Sequence, residues 1–135
     1  MVDIDIVYEG DLHCTLTHGP SGAKIVTDAP KDNEGRGEAF SPTDLVAAAL
    51  GSCMVTIMGI AARKAEIDIR GTRVHVTKEM LGGAYRRIQK LEVTITLPRA
   101  LPADQREKLE RAAESCPVNR SLSKDVEVKT RFVYP

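Results

Sequence analysis

The chain has 135 residues, with 19 basic and 19 acidic side chains and a formal net charge of zero. No net field draws it to phosphate backbones or an anionic membrane, so nucleic acid is not an expected partner. The length suits a single domain over residues 1–135, burying roughly two-thirds of the surface of the unfolded chain. Only three cysteines are present, too few for a disulfide-stapled secreted scaffold, and the opening MVDIDIVYEG lacks the basic-then-apolar form of a signal peptide. The expected location is the cytoplasm, where thiols stay reduced.

Val2 to Tyr8 and Leu12 to Thr17 alternate apolar and polar residues around the turn EGD, which predicts a β-hairpin. Lys24 to Asp28 reads as a third short strand, and Ala29 to Ala39 as a charged, glycine-bearing loop. A helix is announced next: Ser41 is a cap, Pro42 suits the first helical position, and Asp44 falls where a capping-box acid belongs. It should run to about Lys64. Leu45 to Ala62 carries no charge for about the length that a bilayer asks for. Its Ala, Gly, Ser and Thr content, with Asp44 and Arg63 hard against its ends and no aromatic belt, argues against a membrane span.

Arg73 to Met80 and Arg87 to Leu97 alternate as half-buried strands joined through LGGAY; Leu91, Val93, Ile95 and Leu97 share one face of the second. Pro102 opens a second helix, in which Leu109, Ala112, Ala113 and Cys116 keep the spacing of a buried stripe. A last strand covers Val126 to Tyr134. The order predicts an α+β fold with antiparallel sheets, a long central helix and a second helix. The central helix is uncharged all round, so one stripe covers its own sheet and a second surface must cover the rest. In so short a chain that surface is expected from a second copy, which predicts a symmetric homodimer.

Each cysteine has a plain reading as a small core hydrophobe. Cys14 keeps it, alternating with Leu12 and Leu16 along its strand. Cys116 ends a helical stripe and precedes Pro117, which disfavours helix at Cys116 and can begin a fresh turn; a thiol at such a junction can feel a helix N-terminus. Cys53, in mid-helix, gains little from its own helix dipole, and burial alone would leave it inert. To react it needs a cation, supplied by Arg36 in the preceding loop or by a basic residue of a partner chain.

The segments FSPTDLVAAALGSCM (Phe40 to Met54) and CPVNRSL (Cys116 to Leu122) together resemble the two-cysteine signature of the OsmC/Ohr family, the osmotically inducible and organic-hydroperoxide-resistance proteins. Strand and helix order is similar over nearly the whole chain. The resemblance implies an intertwined homodimer with the two long helices packed centrally. It further implies a cysteine-based peroxidase without metal or organic cofactor: Cys53 as the peroxidatic thiolate attacking a small organic hydroperoxide or hydrogen peroxide, Cys116 as the resolving thiol, and an external dithiol as reductant, in oxidative or osmotic stress defence. The alternative is a stress protein that binds a small apolar ligand and whose cysteines are structural.

The signature also departs from the family. Where its best-characterised branch carries a glutamate that helps activate the thiol, this chain has Thr43, with Asp44 one step around the helix. The arginine of the first hairpin region is absent, since Val2 to Asp28 contains none. Either Arg36 replaces it from the loop, or Lys24, His13 or His18 contributes, or the thiolate is less activated. Other polar candidates read as structural. His13 and His18 flank Cys14 without a zinc spacing, His75 points away from the face of Val74 and Val76 into solvent, Arg86 and Arg87 mark a solvated strand end, and SGAK lacks the remainder of a phosphate loop.

Overall fold

A computed structural model describes Met1–Pro135. The residues group into two compact units, Met1–Val46 and Ala47–Pro135. In the first, β1 (Ile4–Tyr8), β2 (His13–His18) and β3 (Lys24–Asp28) form an antiparallel sheet in that order. The hairpin turn is tight enough to hold Asp11 and Leu12 at φ 53° and 59°. Every residue of β1 is exposed, including Ile4, Ile6, Val7 and Tyr8. The loop after β3 is pinned by backbone bonds from Ala29 N–H to the Leu12 carbonyl and from Asp28 N–H to that of Phe40 (both 3.1 Å).

The first unit ends in the start of α1 (Pro42–Lys64). Its capping box is formed as the sequence predicts: Asp44 N–H donates to Ser41 Oγ (3.1 Å) and Ser41 N–H to Asp44 Oδ2 (2.9 Å), satisfying two donors that the helix leaves without internal partners. The helix stops where Glu66 turns left-handed (φ 57°) and Ile67 N–H reaches back to the Ala62 carbonyl (2.8 Å).

In the second unit β4 (Arg73–Leu81), β5 (Arg87–Thr96) and β6 (Glu127–Val133) form a sheet with β5 in the middle. Leu50, Met54 and Met58 of α1 are fully buried in one cluster with Leu91, Val93 and Ile95 of β5, and burying each such side chain contributes about 1.5–3 kcal/mol. Gly51 lies in the same buried stripe because β4 passes close: a Cβ there would stand 2.8 Å from Val76 Cγ2. The opposite side of α1, with Ala48, Ala49, Ser52, Thr56 and Ile60, is exposed and uncharged. By length and composition α1 could cross a bilayer, and 33% of its apolar window is buried within the chain.

The α+β class and the predicted elements hold, with one correction. Both sheets were expected to be antiparallel, but β6 runs parallel to β5. Between these strands lie α2 (Ala103–Glu114) and the short α3 (Pro117–Ser121), and a helical crossover of that length returns the chain to the same end of the sheet before β6 begins. A second difference is local. Cys116 shares the burial of Leu109 and Ala113 but lies outside α2, as the N-cap of α3.

Candidate functional site

Cys53 faces the edge of the α1 stripe. It is partly buried and, like Ile57 and Ala61 one and two turns on, packs against the core without joining it. Cys116 is fully buried. Its place is set by a change of helix: α2 ends at Glu114, Cys116 is extended (φ −63°, ψ 145°), as residues before proline tend to be, and Pro117 starts α3 at the position where a missing N–H costs nothing. Cys116 Sγ accepts hydrogen bonds from the backbone N–H of Asn119 (3.3 Å) and of Val118. Its other neighbour is Cys53, whose side chain is close enough to act on its titration. Two sulfurs distant in sequence therefore meet within the second unit.

Burial pushes the Cys116 thiol above its ordinary value, and the Cys53 side chain and its charge push it further; the N–H groups of Asn119 and Val118 pull the other way. Cys116 thus keeps its proton at neutral pH, while Cys53 is the more exposed of the two. A pair of this kind can do thiol–disulfide chemistry: one sulfur open to a small reactant, the other held against it in reserve.

Arg36 sits in the first unit, at a cavity of about 240 Å3 that Asp28 and His13 also line. Its described ion pair is with Asp11 (3.8 Å), and both side chains are largely exposed, a pairing that contributes little. The other cations considered for the thiol have partners of their own. His13 Nδ1 hydrogen-bonds Asp28 Oδ1 (2.5 Å), His18 Nδ1 faces Ser21 Oγ (2.6 Å), and Lys24 Nζ donates to Thr17 Oγ1 (2.7 Å). Asp28 is buried, and its hydrogen bond is the largest cause of a raised His13 pKa; the Asp28 and Glu9 charges add to it, while partial burial and Arg36 oppose it. Thr43, at the position of the family glutamate, lies with its hydroxyl 3.2 Å from that of Ser41, inside the helix cap.

His75 is exposed on β4, and Cys14 lies mid-strand opposite Tyr8 and Thr27. No group of three or more His, Cys, Asp or Glu side chains is arranged to hold a metal ion. Two features escaped the sequence reading. The pairing of His13 with Asp28 needs the β2–β3 register, which no local pattern announces. Asn119 was legible in part, because Cys-Pro-x-Asn places an N–H donor three residues after a capping sulfur.

Residues 35–131 match the family model described as OsmC-like protein. A crystal structure from Psychrobacter arcticus 273-4, provisionally described as an osmotic stress induced and detoxification response protein, is 43% identical with a TM-score of 0.92, over 98% of this chain and 96% of that one. An organic hydroperoxide resistance protein OsmC from Legionella pneumophila shares the fold at 16% identity (TM-score 0.78; 98% and 96% covered). So does an organic hydroperoxide resistance protein from Elizabethkingia anophelis with thiocyanate bound, at 15% identity (TM-score 0.78; 100% and 96% covered). None of the curated protein sequences matches. With most of its length inside the family model and a close relative of the same fold, the chain belongs to the OsmC-like protein family.

Proposed function

We propose that the protein is a cysteine-based peroxidase that reduces organic hydroperoxides or hydrogen peroxide in stress defence, with Cys53 as the attacking sulfur and Cys116 as the resolving one. The observation that carries this reading is that the Cys53 and Cys116 side chains interact within one unit, one partly exposed and one buried. The detoxification response in the description of the Psychrobacter relative agrees with it.

In the proposed reaction the Cys53 thiolate attacks the distal oxygen of the hydroperoxide. The O–O bond breaks, an alcohol (or water) leaves with a proton, and Cys53 becomes a sulfenic acid. Cys116 then loses its proton and attacks the Cys53 sulfur; the S–O bond breaks, hydroxide takes up that proton as water, and a disulfide remains. An external dithiol restores both thiols by two exchange steps and is itself oxidised to a disulfide. A basic group of a second copy supplies the positive charge near Cys53. The working form is a homodimer in the reducing cytoplasm, in which the second copy covers the uncharged outer face of α1 and the exposed apolar residues of β1.

Oxidation with one equivalent of cumene hydroperoxide, followed by titration of free thiols, tests the reading. Two of the three thiols per chain should disappear, and Cys53→Ser should lose none of the remaining two. Retention of all three thiols in the wild type, or equal loss from Cys53→Ser, would sink it in favour of a ligand-binding protein with structural cysteines.

A further inference from the structure

The reaction just described requires Cys116 Sγ to stand where Cys53 can bond to it, yet Cys116 lies in the two-residue link, Ser115–Cys116, between two helices. Asn119 bridges that link. Its backbone N–H donates to Cys116 Sγ (3.3 Å), and its side-chain Nδ2 donates to the carbonyl of Glu114, the last residue of α2 (3.1 Å). One residue thus grips the chain on both sides of the sulfur. The five residues of α3 are too few to hold a helical turn by themselves. The backbone ties on the α2 side are the Cys116 N–H to the Ala113 carbonyl, at 3.3 Å, and the Ser115 N–H to that of Ala112, at 3.2 Å.

We propose that Asn119 is a positioning residue for the Cys116 sulfur: the side-chain tie to Glu114 holds Sγ against Cys53 and so sets how readily the Cys53–Cys116 disulfide closes. This rests on the proposed use of the two thiols, although not on the oxidant being a peroxide. Closure by exchange balances without one. A glutathione disulfide accepts the attack of one protein thiolate and releases glutathione; the second protein thiolate then attacks the mixed disulfide and releases another, leaving two glutathione thiols and one protein disulfide. The second attack is intramolecular and depends on alignment, where a displacement of about 1 Å can cost up to a hundredfold. Removing the tie should act on that step.

The experiment is equilibration with reduced and oxidised glutathione in a Cys14→Ser background, with acid quenching and counting of free thiols. Asn119→Ala removes the tie. Asn119→Asp keeps the shape of the side chain but, as a carboxylate, cannot donate to a carbonyl. Ser121→Ala serves as the control, since it cuts the bond from Ser121 Oγ to the Pro117 carbonyl (2.8 Å) within α3 and leaves the Glu114 junction alone. Both Asn119 variants should lower the closure constant about tenfold, equivalent to about 30 mV for a two-electron couple, while Ser121→Ala stays within about twofold of the parent. The inference is overturned if the Asn119 variants stay within twofold, if Ser121→Ala falls as far as they do, if both Asn119 variants fail to fold, or if the parent pair never closes. A parent pair that closes in glutathione but resists cumene hydroperoxide sinks the peroxidase reading and leaves the Asn119 comparison standing.

Discussion

Cys116 illustrates how one residue inherits its chemistry from what surrounds it. Alone, a thiol before proline is unremarkable; buried, bonded to two backbone N–H groups and facing Cys53, it holds its proton and waits for a partner. His13 behaves in the opposite sense. Its bond to buried Asp28 raises its pKa from the ordinary 6.5, so the folded state binds a proton more tightly than the unfolded chain. The stability this adds is fully present below about pH 6.5 and is lost as pH rises through the raised folded value. The urea midpoint should accordingly fall between pH 6 and the point where His13 loses its proton, and Asp28→Asn should flatten that slope. An equal slope in the variant would assign the effect to another group.

At the scale of elements, α1 is specified at both ends and along one face. The box of Ser41 and Asp44 starts it, the left-handed Glu66 ends it, and between them the apolar spacing puts Leu50, Met54 and Met58 on β5. Gly51 marks where helix and strand come closest. Ala is the better helix former by about 1 kcal/mol, but a methyl group 2.8 Å from Val76 Cγ2 meets a stiff β-branched side chain and cannot be accommodated without a shift. Overpacking of that kind costs about 1–3 kcal/mol, so Gly51→Ala should lower the unfolding free energy by roughly 1 kcal/mol once the propensity gain is subtracted. Denaturant unfolding decides it: a net gain would mean β4 gives way freely. The same element carries Cys53 at the edge of its buried stripe, partly buried against the core.

For the whole molecule the exposed side of α1 is decisive. A single chain leaves Ala48, Ala49, Ser52, Thr56 and Ile60 uncovered and uncharged, and leaves the apolar residues of β1 in solvent as well. The proposed homodimer would cover both surfaces. Sedimentation at micromolar concentration should show a dimer, and Thr56→Lys, which places one charge per copy on the uncharged face, should shift the population to monomer. A wild-type monomer at those concentrations would leave the covering of α1 unexplained.

Hydrophobic periodicity and capping chemistry are local, so the amino-acid sequence by itself determined the strands, the bounds of α1 at Pro42 and Lys64, and the interruption at Cys116–Pro117. Strand direction is not local. A half-buried edge strand alternates in the same way whether it runs parallel or antiparallel, and only the crossover through α2 and α3 made β6 parallel to β5. The two cysteine motifs pointed to a family through resemblance, but periodicity could not bring the sulfurs together. Their contact, the protonated state of Cys116 and the two-sided grip of Asn119 depend on residues distant in sequence or across a helix junction, and such contacts exist only once the chain has packed.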